Sequence, residues 1–302
     1  MKDIELSEIV KKILEYKGIK DAPFRRAKSG FNRSVFDIDN RYVLKICTNQ
    51  NEEKEKDVLN EIDFFLNNDY DFAPFLITYD TSKMIVPYYY TIEEKIMGES
   101  LLYRWGNMTN KQRNETLEKL ATILKKIHSK PDTTHFNALM LIDKFNNELN
   151  TCIEKHIFTS EQIDYLKRLR DSFVYYLNGA RTAYIHGDVH FDNVIVSEDK
   201  LRLIDFEWYG VDILDREFDA INRMSNNPNS FVKCGKVNEE DFKHVMDMLS
   251  DYYPEVMKGE MFEDRLIIFD IYNAIKWISL YPSHERYHRV LFDESKKLIR
   301  KQ

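Results

Sequence analysis

Between Tyr184 and Glu207 the chain reads YIHGDVHFDNVIV, then SEDK, then LRLIDFE, a stretch dense in groups able to do chemistry. Val194-Ile195-Val196 and Leu201-Arg202-Leu203-Ile204 are short β-rich runs, and Ser197-Glu198-Asp199-Lys200 is turn-like, so the stretch reads as a β-hairpin. Pairing Val196 with Leu201 sets the register and places Asn193 opposite Ile204, beside Asp205. A carboxamide and a carboxylate then meet at one end of a ribbon, with Asp188 on the loop before it. Two hard oxygen ligands side by side suit Mg²⁺, which completes its shell with water and phosphate. A separate carboxylate suits a base that orients a hydroxyl. This is the division of labour that phosphoryl transfer requires.

A second chemistry competes for the same loop. His186, Asp188, His190 and Asp192 alternate, a pattern able to ligate a transition metal for hydrolysis. Such a site needs further histidines on other loops. His128, His135, His156, His244, His284 and His288 show no paired spacing of that kind, so His190 reads as a loop-packing residue.

The order His186-Gly187-Asp188, Asn193, then Asp205 within LIDFE resembles the catalytic and metal-binding loops of the aminoglycoside phosphotransferase family. That family groups antibiotic kinases with choline, homoserine and other small-molecule kinases. The resemblance implies an α+β, bilobal protein-kinase-like fold. Its N-terminal lobe, residues 1–97, would be an antiparallel sheet with helices that binds nucleotide. Its larger, mostly helical C-terminal lobe, 98–302, would be catalytic and bind substrate. Protein kinases carry His-Arg-Asp and Asp-Phe-Gly where this chain has Gly187 and Glu207, which points to the small-molecule branch. The resemblance makes Asp188 the base, Asn193 and Asp205 the Mg²⁺ ligands, and His186 a structural support.

The elements ahead of this stretch must position the nucleotide. An amphipathic helix spans about Leu6 to Tyr16, and residues from Phe24 to Ile46 alternate and turn. Ser29 to Ser34 lies between two strand-like pieces, where a kinase-like enzyme covers the phosphates; by resemblance, Ser34 and the backbone around Asn32 are phosphate contacts. Tyr42-Val43-Leu44-Lys45-Ile46 is a strand, and a Lys within it is costly unless its ammonium meets an anion or snorkels from an edge. The helix that follows presents Val58, Leu59, Ile62, Phe65 and Leu66 as its apolar stripe, with Glu61 at its flank. Lys45 and Glu61 match the strand-Lys and helix-Glu pair of the kinase fold, with Lys45 held against the α- and β-phosphates. Met84 to Pro87 and Thr91 to Ile96 read as two more strands, and Gly98 marks the change from strand to helix. By family analogy the carbonyl of Glu94 and the N–H of Ile96 bind the base of ATP or GTP.

Asn110 to Ser129 is a helix with Leu117, Leu120, Ala121, Leu124 and Ile127 at helical spacing, ending before Pro131. His128 at its end reads as structural. Two more helices, near Ile142 to His156 and Ser160 to Asn178, precede the hairpin. After it, resemblance makes Asp219 the buried acid that accepts backbone N–H bonds from the catalytic loop. Residues 205–270 carry 16 acidic and 7 basic side chains, a balance of −9 against −7 for the whole chain. A cleft lined with carboxylates would concentrate a cationic amine, although many such acids simply line solvated helix faces. Glu207, Trp208, Asp212 and Trp277 are the candidate substrate contacts; Trp208, Tyr272, Trp277 and Tyr281 offer rings for a sugar or an alkylammonium.

Composition sets the outer limits. A chain of 302 residues, 43% hydrophobic and 31% charged, has room for two lobes with their own cores. Cys47, Cys152 and Cys234 are far apart and in no metal-ligand spacing, as expected of a reducing cytoplasm. The first residues lack the apolar core of a signal peptide, and no apolar run approaches the roughly 20 residues of a membrane helix. The net negative charge gives no general attraction for nucleic acid. The sequence therefore leads to a small-molecule kinase that moves the γ-phosphoryl group of a nucleoside triphosphate to a hydroxyl of a cationic substrate, an aminoglycoside first. A kinase of choline, an amino alcohol or a sugar is the alternative, and a silent nucleotide-binding protein a third; intact Lys45, Asp188, Asn193 and Asp205 argue against the last. Oligomeric state has no signature here.

Overall fold

The computed structural model describes residues 3–19, 21–27, 33–132, 137–198 and 200–299. The chain forms two compact units: Met1–Met108 with His190–Tyr209 and Pro228–Asn238, and Thr109–Val189 with Gly210–Asn227 and Glu239–Gln302. The hairpin thus belongs with the N-terminal unit, not with the helices that flank it in sequence.

Helix α1 (Asp3–Tyr16) is followed by β1 (Phe24–Arg26), β2 (Ser34–Ile38), β3 (Tyr42–Ile46), α2 (Glu52–Asn67), β4 (Leu76–Asp80), β5 (Tyr90–Glu94), β6 (Glu99–Ser100) and α3 (Leu101–Arg104). Strands β1 to β5 make one antiparallel sheet in the order β1-β2-β3-β5-β4. Leu6, Val10, Ile13 and Leu14 recur at helical spacing and pack with Phe36, Ile38, Leu44, Ile46, Tyr90 and Ile92. Burying each such side chain contributes about 1.5–3 kcal/mol, so a charge at Val10, which is fully buried, would uncouple α1 from the sheet.

Two expectations for this unit need correction. Met84 to Pro87 is not a strand: Lys83 has φ 59°, Met84 is 88% exposed, and Pro87 has no N–H for a ladder. The strand beside β5 is Leu76–Asp80, and β5 starts at Tyr90 and stops at Glu94 rather than running from Thr91 to Ile96. On α2, Leu59 and Leu66 are exposed, and the buried face is Val58, Glu61, Ile62 and Phe64. Leu59 and Leu66 lie seven residues apart on a second stripe; Glu61 sits in the middle of the buried one because buried cations await it.

In the second unit, α4 (Asn110–His128) starts with a capping box, the Thr109 hydroxyl accepting from Gln112 N–H while the Gln112 side-chain Oε1 accepts from Thr109 N–H. It buries Leu117, Leu120, Ala121, Leu124 and Ile127. Helices α5 (Met140–Glu154) and α6 (Ser160–Leu177) follow, then β7 (Thr182–Ile185). The chain crosses to the first unit for β8 (Val194–Ser197) and β9 (Lys200–Leu203). It returns for β10 (Gly210–Ile213), α7 (Asp219–Asn226), α8 (Val245–Ser250), α9 (Pro254–Met257), α10 (Phe262–Leu280), α11 (Glu285–Arg289) and α12 (Lys296–Ile299). β7 pairs with β10, and β6 joins β8 and β9 in a three-stranded sheet. Gly98 permits that junction: a Cβ there would lie 2.6 Å from the Val196 carbonyl oxygen. Among the described residues no helix is long and apolar enough to cross a membrane.

Candidate active site

The β8–β9 hairpin has the register read from its apolar runs. Val196 pairs with Leu201 and Val194 with Leu203, and Ile204 N–H donates to the Asn193 carbonyl at 3.0 Å. A three-residue 3-10 turn, Phe191–Asn193, closes by Asn193 N–H donating to the His190 carbonyl at 2.9 Å. At the other end Asp205 has φ 71°, a left-handed conformation uncommon for a residue with a side chain. The chain leaves the ribbon sharply there, with the Asp205 carboxylate 40% exposed. Phe206 returns to the interior, stacked on Phe64 of α2 with ring centres 3.8 Å apart and planes 7° from parallel. That stack fixes Asp205 and Glu207 relative to the α2 face carrying Glu61.

Around it lies a buried charge cluster. Lys45 Nζ reaches Glu61 Oε1 at 2.7 Å, Glu93 Oε1 at 2.9 Å and Asp205 Oδ1 at 3.5 Å. Arg33 donates from Nη1 to Glu61 Oε2, and its Nη2 lies 3.1 Å from Glu207 Oε2. Burial alone would discharge Lys45, but Glu61, Glu93 and Asp205 outweigh it and raise its pKa, so it stays a cation. Arg33 is held charged in the same way by Glu61, Glu207 and Asp205. The carboxylates part company. Burial works against the charge of each, yet Glu61 faces both cations and its pKa falls. Burial pushes Glu93 up to about 7: of the two cations it pairs only with Lys45, and it feels Glu61's charge. Glu207, buried and close to Asp205, also rises to about 7. Two cations among four acids leave this cluster able to exchange protons near neutrality.

The second unit supports Asp188 by a different construction. Glu217 is fully buried in a 3-10 turn and accepts His186 N–H at 2.7 Å and Gly187 N–H at 3.2 Å. It also lies 2.9 Å from His128 Nε2; a carboxylate only accepts, so His128 donates there, and its Nδ1 faces the Tyr253 hydroxyl at 2.8 Å. Burial would raise the Glu217 pKa, but His128, His186 and the loop amide lower it. Gly187 adopts φ 84°, which lets two successive amides point at one carboxylate. Asp188, partly buried, donates its own N–H to His186 Nδ1 at 3.3 Å.

Several expected residues stand elsewhere than the sequence suggested. Asp219 does not hold the catalytic loop: Glu217, two residues earlier, does, while Asp219 pairs with Arg223 at 3.2 Å and Asn273 at 3.0 Å. Glu217 lies within a 3-10 turn that ends at Phe218, and Asp219 opens the helix after it; only tertiary contact shows which faces the loop. Glu207, expected on the acceptor side, has its Oε2 paired with Arg33. Arg33 and Glu93 were missed; Arg33 follows the phosphate-loop segment, and Glu93 alternates with Thr91 on a strand next to Lys45's, so period-two patterning could have found Glu93.

The remaining candidates are placed as follows. Ser34 opens β2, buried, its hydroxyl 3.4 Å from that of Thr48. Asn32 lies outside the described residues. Glu94 ends β5, its carboxylate gripped by Arg202 at 3.0 and 3.1 Å; Ile96 follows in the segment before β6. Trp208 is 41% exposed in the first unit. In the second, Asp212 on β10 pairs with Arg216 at 2.9 Å, and Trp277 stacks on Tyr281 and Tyr287.

Several acids of residues 205–270 are held in ion pairs: Asp212 with Arg216 and Asp215 with Arg265 within the segment, Asp241 with Arg113 and Glu255 with Lys125 from outside it. Asp270 differs: burial and the nearby Asp219 raise its pKa to about 7.

For a metal, the end of the hairpin offers an amide oxygen and a half-exposed carboxylate, an all-oxygen set that fits Mg²⁺ better than a thiophilic or imidazole-seeking ion. Among the described residues no group of three His, Cys, Asp or Glu is placed to hold a metal ion.

No curated protein matches the chain. Among solved structures, the ternary complex of APH(2")-IIa with streptomycin and ATP superposes with a TM-score of 0.70 at 18% identity, covering 100% of this chain and 97% of that one. ADP-bound aminoglycoside phosphotransferase APH(2'')-Ib gives 0.67 at 19% identity, covering 98% and 97%. Choline kinase from Cryptosporidium parvum gives 0.60 at 15%, covering 98% and 96%. At such identities the likeness is one of fold, and it agrees with the kinase-like α+β architecture. The sequence model of the APH phosphotransferase enzyme family matches residues 23–219, from β1 to the start of α7, and the chain belongs to that family.

Proposed function

We propose that this phosphotransferase moves the γ-phosphoryl group of ATP or GTP to a hydroxyl of a small cationic molecule, with an aminoglycoside antibiotic as first choice and resistance as the consequence. The observation that carries the reading is Lys45: a cation kept charged inside the protein, within 3.5 Å of the half-exposed Asp205. Beyond neutralising Glu61 and Glu93, such a cation beside an exposed carboxylate suits a polyanion that arrives with its own counter-ion.

In this reading residues 1–97 bind nucleotide and 98–302 carry catalysis and acceptor. Lys45, oriented by Glu61, binds the α- and β-phosphates; Ser34 and the backbone at Asn32 cover them; the Glu94 carbonyl and Ile96 N–H take the base. Asn193 and Asp205 would hold Mg²⁺, which when bound neutralises charge on the phosphates. Asp188 accepts the proton of the attacking hydroxyl, its loop steadied by Glu217 and by His186. Glu207, Trp208, Asp212 and Trp277 are the candidate contacts for the acceptor. The unpaired thiols Cys47, Cys152 and Cys234 suit a reducing, cytoplasmic setting.

The stack of Trp277 with Tyr281 and Tyr287 favours a second reading, a kinase of choline or an amino alcohol, since such rings take a single alkylammonium. A coupled phosphotransfer assay with ATP and GTP over a panel of aminoglycosides, choline, amino alcohols and sugars decides. Turnover with an aminoglycoside is the expected result. Activity with choline or a neutral sugar and none with any aminoglycoside would overturn the first choice and leave the kinase in place.

A further inference from the structure

Residues 228–238 leave the second unit and join the first, although they make no strand there. They form a closed loop. The Asn229 side chain donates from Nδ2 to the Val237 carbonyl at 3.2 Å and accepts Val237 N–H at 3.0 Å, clasping the two ends. The Tyr103 hydroxyl of α3 accepts two successive amides from the far side of this loop, Lys233 N–H at 2.9 Å and Cys234 N–H at 3.2 Å. Phe231 lies against the His190 ring with centres 4.9 Å apart. Lys233 places its ammonium on Asp192 Oδ2.

Asp192 is the centre of the turn that ends in Asn193, and its side chain is 6% exposed, whereas Lys233 is 44% exposed. Every other part of that turn is anchored by the protein's own framework. Phe191 packs on Trp105 at 4.9 Å and its carbonyl accepts the Ser100 hydroxyl at 3.2 Å. Asn193 is tied through both its N–H and its carbonyl. The Asp192 carboxylate is the part whose charge is met from outside, by the loop. An exposed ion pair would be worth little, but a buried carboxylate deprived of its counter-charge is costly and drives the backbone that carries it to rearrange.

We infer that the 228–238 loop is a strap and Lys233 a positioning residue: by neutralising Asp192 it holds the turn in the form that presents Asn193, and so sets the affinity of the metal end of the hairpin. The inference rests on the reading of Asn193 and Asp205 as Mg²⁺ ligands. It makes Lys233 act through Asp192, not on any reactant.

The test uses the full chain with Lys233→Met, Lys233→Arg, Asp192→Asn and the Asp192→Asn/Lys233→Met double variant. Two readouts are needed: Mg²⁺ titration of nucleotide binding and turnover, and amide hydrogen exchange of residues 189–194 by mass spectrometry. Lys233→Met should raise the Mg²⁺ needed for half-maximal binding and turnover about tenfold, a coupling of ordinary size, with kcat at saturating Mg²⁺ little changed. Exchange over 189–194 should rise in parallel. Lys233→Arg should restore both, and in the Asp192→Asn background Lys233→Met should add nothing. Wild-type Mg²⁺ dependence and exchange in Lys233→Met would overturn the inference. So would an equal Lys233→Met effect with Asp192 already neutral, which would mean loop packing alone. If the wild type transfers no phosphoryl group and binds no Mg-nucleotide, the functional reading fails; the exchange data still decide whether Lys233 holds the turn.

Discussion

The surroundings of Glu61 in the first unit and of Glu217 in the second stabilise buried acid in opposite ways. In the first, Glu61, Glu93, Asp205 and Glu207 surround Lys45 and Arg33, so several carboxylates share two cations. In the second, one carboxylate, Glu217, is matched by two backbone amides and one imidazole. The first arrangement is over-supplied with acid: Glu93 and Glu207 are pushed up to about 7 and can take up or release protons as the charge around them changes. The second has no slack, and burial there is repaid by hydrogen bonds that a neutral side chain could not all accept. A site that must admit and release a highly charged ligand gains from the first design. A loop that must hold one conformation gains from the second.

Substitutions can break that contrast, and the largest effect is expected on the loop that Glu217 supports. Asp188→Asn should lower kcat by roughly 10²–10⁴ while nucleotide affinity stays near wild type, because a base assists only the chemical step. Isothermal titration beside steady-state kinetics measures both, and undiminished turnover would remove Asp188 from its role.

Next in size is the support itself. Glu217→Ala strands two loop amides and His128 in the interior and should cost about 3 kcal/mol or more, read as a lower midpoint in chemical denaturation. The wild type should also depend on Glu217 through pH. Its folded pKa lies below the ordinary 4.5, so its contribution is complete above that value and is lost as pH falls through the folded one. The Ala variant should lack that part of the acid transition. A stability equal to wild type would show that the loop is held by other means.

The smallest effect should come from the adaptable cluster. Lys45→Met removes a cation from three carboxylates, yet acids already raised to about 7 can pick up protons in its place. Its stability cost should therefore shrink as pH is lowered from 8 to 6, while the cost of Glu217→Ala stays level over that range. Denaturation midpoints at both pH values distinguish the two; a pH-independent cost for Lys45→Met would contradict the idea of a proton-exchanging cluster.

Short-range features were determined by the sequence alone. Val194 to Val196 and Leu201 to Ile204 define the hairpin and its register, since period-two burial and a four-residue turn leave one pairing that keeps the apolar sides together. The capping box at Thr109 and the apolar stripe behind it delimit α4 within one residue at its C-terminal end. Lys45 in an apolar strand announces a buried cation because the alternative is so costly. What depends on segments distant in sequence was decided only by the tertiary structure. Whether Glu217 or Asp219 grips the catalytic loop turns on which side of a 3-10 turn meets β7's continuation. Whether α2 buries Leu59 or Glu61 depends on the cations that Arg33 and Lys45 bring to it. That Leu76–Asp80 and not Met84–Pro87 pairs with β5 depends on a free donor edge that Pro87 cannot supply. Local propensity and periodicity are carried by neighbours along the chain, whereas the partner of a buried charge is chosen by the three-dimensional sum of burial and compensation, which no window of sequence contains.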